Sequence, residues 1–375
     1  MNGEILAFIV YFVAIVGVGI YFFFKEKGDA TQANFFLGGR QMGPWVAAMS
    51  AQASDMSAWL LMGLPGSILA FGFGQMWIGI GLALGTAANW IFVAKRLRKF
   101  SSAAGDAITV PQYLGNRFLS KSNALQVICA IIFFVCFTIY VASAYVAGAS
   151  VFTAIFPSLS SHAAMIIFAL AMLLITFFGG FKAVCWTDFF QGILMFAALM
   201  TVPIVIAITK DMDPAALSVV YSYKDAVSGE MVECSFGTGL FDASWQDIIS
   251  GLAWGLGYFG MPHILVRFMS IEKPSMVKKS ATVAIIWVIC ALGCACLIAY
   301  FGRMFLAEEL LTAGAQKMVF IDFARKLFPS FIAGILMAAI IAASMSTADS
   351  QLLVASSSFT SDIYKPIIRK DADEK

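Results

Sequence analysis

The residues best suited to chemistry in this chain lie inside an apolar stretch, residues 50–65. Three serines, a glutamine and Asp55 fall within eight positions, and Gly63 and Pro65 follow closely. A carboxylate near the middle of a bilayer costs roughly 2.5–3.5 kcal/mol, while Gly and Pro weaken the hydrogen-bond ladder of a membrane helix. Interrupted helices whose polar groups face a cavity line the mid-membrane sites of many transporters. The stretch therefore predicts a site for an ion or a solute in a broken membrane helix.

A second polar set, residues 344–350 (SMSTADS), lies in the last apolar segment. On a helix, Ser346, Asp349 and Ser350 would share one face, with Thr347 beside them. Hydroxyls and the carbonyls of a loosened helix suit a monovalent cation that must also leave, whereas Ca²⁺ or Mg²⁺ would require more carboxylates. The alternative is helix packing through small residues with hydroxyl hydrogen bonds. Asp349 favours the cation site.

Asp188 and Gln191 lie one turn apart near the start of another apolar segment. One interpretation is that Asp188 is a relay on the inward path of the cation. The other is that it is an interfacial carboxylate paired with Lys182, and the spacing does not decide between them.

Residues 254–267 (WGLGYFGMPHILVR) predict a second broken span, because three glycines and Pro262 fall within eight residues. Trp254, Tyr258 and Pro262 recur every four residues, so on an α-helix they would form one wall for a small apolar solute. The second and seventh apolar segments lie five apart, as two halves of a five-plus-five repeat would require. His263 and Arg267 are interpreted as hydrogen-bonding groups at the inner end, not as ligands.

The composition indicates a polytopic membrane protein. Of 375 residues, 61% are hydrophobic and 12% charged, with a mean hydropathy of +0.87, whereas soluble domains are about 25% charged. The net charge of +2 carries no nucleic-acid signal. Two histidines argue against a multi-histidine metal site, and no residue set supports covalent chemistry. We therefore expect neither an enzyme nor an organic cofactor.

Nine apolar segments are long enough to cross about 30 Å of hydrocarbon. They are 4–24, 44–71, 74–93, 122–156, 161–180, 183–209, 245–269, 281–305 and 330–360. With the N-terminus outside, eighteen of the 24 Lys and Arg residues fall on the inner side, as the positive-inside rule requires. This orientation places the C-terminus inside, with inner loops at 25–43 and 94–121 and outer loops at 210–244 and 306–329.

Five separated motifs together resemble the sodium:solute symporter family, in the same order along the chain. They are SDMSAWLLMGLPG, TVPQYLGNRF, WTDFFQG, WGLGYFGMPHILVRFMSI and MSTADSQLLVASS. The resemblance implies an all-α inverted five-plus-five helix bundle with one extra N-terminal helix. The later core helices of the family are missing, so residues 1–375 would be a single transporter domain that is C-terminally incomplete.

The resemblance also implies site residues. Sodium would be bound by the backbone carbonyls of Ala53, Met56 and Ala343 and the hydroxyls of Ser346 and Thr347. Asp55 and Asp188 match acidic positions tied to sodium coupling, and Asp349 and Ser350, with Asp188 nearby, match the place of a second sodium in some members. The solute pocket would involve Ser57, Ala58, Tyr140, Trp254, Tyr258 and Pro262.

The implied activity is sodium-coupled import of L-proline, or a similar small zwitterion, across a bacterial inner membrane by alternating access. Three departures favour another solute, such as a different amino acid, a carboxylate or an osmolyte: Ala58 and Ala144 stand where Gly is expected, and Met261 where Gln is expected. Two further interpretations are a transporter-like sensory input module of a signalling kinase and an inert truncated product. The sequence predicts a lipid bilayer as partner and leaves the oligomeric state open.

Overall fold

A computed structural model describes residues 3–26, 31–156, 158–225, 228–369 and 371. The main helices are α1 (Gly3–Glu26), α2 (Pro44–Ala53), α3 (Gly63–Phe71), α4 (Phe73–Ala103), α5 (Ala124–Ile155), α6 (Ser161–Thr209), α7 (Trp245–Gly260), α8 (Pro262–Ser270), α9 (Val277–Phe305) and α10 (Ser330–Phe359). Shorter helices are Gln32–Leu37, Val110–Arg117, Ala307–Thr312 and Val319–Leu327. Strands β1 (Tyr221–Lys224) and β2 (Met231–Cys234) form an antiparallel hairpin.

The prediction of a helical polytopic membrane protein is confirmed. Six of the described helices are long and apolar enough to cross a membrane, and the bent pair α7–α8 would make a seventh. Two shorter apolar helices, Ser57–Phe71 and Ser161–Phe177, coincide with parts of two further predicted spans. The count of nine spans stays a prediction.

Two of the predicted segments are broken in the middle. In the first, α2 ends at Ala53 and a 3₁₀ turn, Ser57–Leu60, precedes α3. In the second, α7 changes from an α-helix to a 3₁₀-helix at Trp254, and α8 follows after a bend of 47° at Met261. The polar, Gly- and Pro-bearing sequences predicted both breaks.

Helix α10 forms the centre of the bundle. It packs against α1, α5 and α6, and its residues from Leu336 to Gln351 are all buried, including the polar ones. Helix α6 changes direction at Gly180, whose φ of +56° and ψ of −160° interrupt the helix between two predicted spans. The second half of α6, together with α2 and α10, surrounds the candidate site.

Several segments that were predicted as loops contain helices or strands. Helix α4 continues to Ala103 through a π-helical turn at Asn89–Ala94, so the span predicted to end at residue 93 is ten residues longer. Thr109 caps the helix Val110–Arg117 by accepting a hydrogen bond from the amide of Gln112. The hairpin β1–β2 lies within 210–244, and the two helices Ala307–Thr312 and Val319–Leu327 lie within 306–329.

Candidate functional site

The break after α2 exposes backbone oxygens in the interior of the bundle. Ser54 ends the helix with its hydroxyl turned back to the carbonyl of Ser50, at 2.7 Å. Ser57, three residues on, has a φ of +51°, a left-handed conformation that side chains other than glycine rarely adopt. Because the helix stops here, carbonyls near its end lack the amide partners that they would have inside a continuous helix.

The hydroxyl of Ser346 on α10 faces this break. It lies 2.7 Å from the carbonyl oxygen of Ala53, 2.9 Å from that of Ala342 and 3.2 Å from that of Ala343. The hydroxyl of Thr347 lies 3.0 Å from the Ala343 carbonyl. The Ser346 hydroxyl has one hydrogen and three acceptors around it, so this cluster contains more oxygen lone pairs than donors. We call these oxygens the oxygen cluster.

Such a cluster suits a monovalent cation. Its oxygens are hydroxyls and carbonyls without a permanent charge, and all the residues that supply them are buried. Four of the five residues expected to bind sodium, Ala53, Ala343, Ser346 and Thr347, are brought together here. Met56, the fifth, lies at the same break, buried, three residues after Ala53.

One expectation about this cluster is wrong. Helix α10 is not loosened at residues 343–347, since it runs as a regular α-helix from Ser330 to Phe359. Its carbonyls accept the side-chain hydroxyls of the next turn because each carbonyl oxygen has a second lone pair beyond the one used by the helix. The break in α2–α3 alone therefore supplies the interrupted backbone at this cluster.

Asp55 links the two broken spans. Its Oδ2 accepts a hydrogen bond of 2.6 Å from the hydroxyl of Tyr258, and both residues are buried. The backbone carbonyl of Tyr258 in turn accepts a 2.8 Å hydrogen bond from the side chain of Asn89 on α4. The predicted coupling residue and a predicted solute-pocket residue are thus in direct contact, and Asp55 follows Ala53 of the oxygen cluster by two residues.

The other residues predicted for the solute pocket surround the same two breaks. The ring of Trp254 stacks on that of Trp59 across the breaks, with centroids 6.3 Å apart. Ala58 is buried, and Tyr140 on α5 is partly exposed. Pro262 begins α8 directly after the bend.

The prediction that Trp254, Tyr258 and Pro262 share one helical face is wrong. Residues 254–260 form a 3₁₀-helix, in which residues four apart point about a third of a turn away from each other. Accordingly, Trp254 is 57% exposed whereas Tyr258 is 2% exposed.

Asp188 on α6 forms a fully buried ion pair with Arg267 on α8. Its Oδ2 lies 3.0 Å from Arg267 Nη2, 2.7 Å from the hydroxyl of Ser50 and 3.5 Å from that of Ser350. The alternative pairing of Asp188 with Lys182 is wrong, because the ion pair of Asp188 is with Arg267. The chain folds α8 back so that Arg267, 79 positions later, reaches Asp188 instead.

Asp349 and Ser350 are adjacent in sequence but have different partners. Asp349 Oδ1 accepts a 2.9 Å hydrogen bond from the hydroxyl of Thr176 in the first half of α6. Ser350 contacts Arg267 and Asp188. A second sodium at these residues stays a prediction, and the structure assigns the two carboxylates Asp188 and Asp349 to separate hydrogen-bond groups.

Sequence reasoning missed the partners of Arg267. It is a hydrogen-bonding group, as expected, but it is 1% exposed and contacts α2, α6 and α10 at once. The available signal was an arginine in an apolar segment, since intramembrane ionisable residues usually face a partner in the bundle interior. Thr176 carried no comparable signal, because a lone threonine in an apolar helix usually bonds its own backbone.

The fold and the site together define a polytopic helical membrane protein with a mid-bundle site typical of secondary transporters. The computed structure resembles that of a Na⁺-coupled sialic acid symporter in a substrate-bound, outward-open state, with a TM-score of 0.76 and 20% sequence identity, covering all of this chain and 76% of the other. At that identity the likeness establishes the fold.

Sequence comparison gives the family. The model of the sodium:solute symporter family matches residues 35–375. Sodium/proline symporter 2 of Staphylococcus saprophyticus is 40% identical over 363 residues, 97% of this chain and 68% of that protein. The sodium/proline symporter of Staphylococcus aureus strain JH9 is 41% identical over 358 residues, 96% and 67% respectively. The chain belongs to the sodium:solute symporter family.

Proposed function

We propose that this chain forms the ion- and solute-binding part of a sodium-coupled importer of L-proline that works by alternating access. The observation that carries the proposal is the oxygen cluster, where the break of α2 meets the hydroxyls of α10. The proline assignment is supported by relatives named sodium/proline symporters at about 40% identity over almost the whole chain.

In this mechanism sodium binds to the carbonyls of Ala53, Met56 and Ala343 and to the hydroxyls of Ser346 and Thr347. The cation fixes the end of α2 against α10 and so holds Asp55 in reach of Tyr258. Solute then binds beside Ser57, Ala58, Tyr140, Trp254 and the start of α8 at Pro262. Because the ion and the solute favour the same arrangement of the two breaks, each strengthens the binding of the other by the same factor.

One sodium ion supplies enough energy for concentrative import. Entry across about 100 mV contributes roughly 2.3 kcal/mol, and a tenfold sodium gradient adds about 1.4 kcal/mol. The sum supports a solute gradient of several hundredfold.

The proposed arrangement is the inverted five-plus-five bundle with one extra helix at the N-terminus, in a bacterial inner membrane with the N-terminus outside. In this arrangement α2–α3 and α7–α8 occupy equivalent places in the two repeats. The pairing is supported by the breaks themselves, which occur in the middle of both segments and are joined by the contact of Asp55 with Tyr258.

A different small solute is the second candidate, and Ala58 favours it. The side chain of Ala58 is buried next to Ser57 at the break, where the extra methyl, compared with glycine, narrows the space for a solute. Met261, at the bend between α7 and α8, stands where the family resemblance implies a glutamine, and its thioether is a much weaker hydrogen-bonding group for a polar solute.

The test is binding and uptake of radiolabelled proline by the purified chain in nanodiscs and proteoliposomes, with sodium or potassium as the cation. A panel of unlabelled amino acids, carboxylates and osmolytes identifies the preferred solute. Substitution Thr347→Ala should raise the sodium concentration for half-saturation about tenfold or more, because a lost hydrogen-bonding or ligating group in a buried site costs about 1.5–3 kcal/mol.

The matched control is Ser344→Ala. Ser344 is buried on the same helix, and its hydroxyl has no hydrogen-bond partner among the described residues. The sodium dependence of proline binding in Ser344→Ala should therefore equal that of the wild type. An unchanged sodium requirement in Thr347→Ala, or solute binding that ignores sodium, would contradict the proposal.

A further inference from the structure

The guanidinium of Arg267 is surrounded by hydroxyl and carbonyl oxygens, as a cation in the oxygen cluster would be, and by one carboxylate. Its Nε donates to the hydroxyl of Ser50 at 3.0 Å and its Nη1 to the backbone carbonyl of His263 at 2.7 Å. Its Nη2 reaches Asp188 Oδ2 at 3.0 Å and the hydroxyl of Ser350. Two hydroxyls, one carbonyl and one carboxylate from α2, α6, α8 and α10 therefore converge on a single positive charge.

This second set lies one helical turn from the oxygen cluster on both helices that form it. Ser50 precedes Ala53 by three residues on α2, and Ser350 follows Ser346 by four on α10. Residues three or four apart lie on the same face of a helix, so the two sets are stacked between the same pair of helices. In the proposed orientation, the set around Arg267 lies on the inner side.

The guanidinium of Arg267 already uses the oxygens that another cation would need at this place in the bundle. Asp188 Oδ2 is surrounded by three donors, and the hydroxyl of Ser50 both accepts from Arg267 and donates to Asp188. The ring of Phe181 covers the guanidinium, and the Cζ atom of Arg267 lies 5.3 Å from the centroid of that ring. A sodium ion added here would meet like charge at close range in a buried site, where such repulsion is screened weakly.

We propose that Arg267 is a tethered cation that takes the place of a second sodium ion at Asp188, so that the chain binds one sodium ion. The proposal rests on the proposed function, because it presumes that sodium binds to the oxygen cluster. It assigns Arg267 a role in setting the number of coupling ions: the oxygens of Ser50, Ser350 and Asp188 would bind sodium if the guanidinium were absent. The other oxygen of Asp188, Oδ1, has no hydrogen-bond donor among the described residues, so it too would be available to that ion.

The experiment counts sodium ions by equilibrium binding of ²²Na⁺ to the purified chain in nanodiscs. The wild type should bind one ion per chain, and Ser346→Ala should lose it. Arg267→Gln removes the charge and should bind two, whereas Arg267→Lys keeps a charge and should bind one. Asp188→Asn added to Arg267→Gln should bring the count back to one.

The outcomes separate this proposal from the function on which it rests. A wild type that binds no sodium overturns the proposed function, and a wild type that binds two ions overturns the role of Arg267 alone. An Arg267→Gln protein that keeps the ion lost in Ser346→Ala but gains no second one also overturns it. If Arg267→Gln does not fold, Arg267→Met takes its place with the same expected count of two ions, and a count of one in that variant overturns the proposal.

Discussion

Removal of the hydroxyl of Tyr258 is expected to uncouple sodium from solute. That hydroxyl donates the 2.6 Å hydrogen bond to Asp55 that joins the break in α2–α3 to the break in α7–α8. Tyr258→Phe keeps the ring in its packed position, where 2% of the residue is exposed, and deletes only the donor. The two breaks then lose their direct polar connection, while the oxygen cluster itself is unchanged.

The size of the effect follows from the kind of bond. A buried hydrogen bond to a carboxylate contributes about 1.5–3 kcal/mol, and each 1.4 kcal/mol corresponds to a factor of about ten. The factor by which saturating sodium strengthens proline binding should therefore fall by about 10- to 100-fold in Tyr258→Phe. The affinity for sodium in the absence of solute should change much less.

Calorimetric titration of proline into nanodisc-embedded protein, with and without sodium, measures this factor directly. Tyr300→Phe is the matched control. Tyr300 on α9 is partly buried with its ring stacked on Phe73, and its hydroxyl makes no hydrogen bond among the described residues, so the same deletion there should leave the coupling factor at its wild-type value.

A double-mutant cycle with Asp55→Asn tests whether the hydrogen bond is the connection. If it is, the effects of Tyr258→Phe and Asp55→Asn on the coupling factor will be strongly non-additive. Full additivity, or a coupling factor in Tyr258→Phe equal to the wild-type value, would refute the reasoning.

Two further predictions concern packing and stability. Gly255→Ala should lower the melting temperature at least about 2 °C more than Gly257→Ala, because its Cβ would overlap the backbone oxygen of Gly81 on α4 whereas that of Gly257 meets no atom within 4 Å, and overpacking costs about 1–3 kcal/mol. Equal melting temperatures would show that the two helices separate without cost. Arg303→Met should speed maleimide labelling of Cys234, which is buried, because the guanidinium donates to the backbone carbonyls of Leu69, Val219 and Cys234 and so holds the hairpin β1–β2 against α3. An unchanged labelling rate would contradict this role.

The breaks in the two spans could be predicted because their causes are local. Polar side chains with Gly63 and Pro65 in one segment, and three glycines with Pro262 in the other, disfavour a continuous helix whatever surrounds them. The hydroxyls of Ser346 and Thr347 in an apolar helix are also visible locally. Their meeting with the carbonyl of Ala53 was implied by the family resemblance, since no local signal joins residues 293 positions apart.

The partners of the charged residues could not be predicted, because they depend on how distant helices pack. Asp188 has Lys182 near it in sequence but pairs with Arg267, and Asp349 bonds Thr176 instead of joining Ser350. The 3₁₀ conformation of residues 254–260 could not be predicted either. A glycine-rich segment can form a 3₁₀-helix or an α-helix, and here it packs as a 3₁₀-helix against α4.

Ser57 adopts a strained backbone conformation at the break in α2–α3. A non-glycine residue at a φ of +51° costs about 1–2 kcal/mol, which glycine in its place would avoid. The serine hydroxyl, which accepts a 3.4 Å hydrogen bond from the amide of Trp59, opposes that cost only in part. The bent segment therefore stores part of this free energy as backbone strain at Ser57, which is released only if Ser57 leaves the left-handed region.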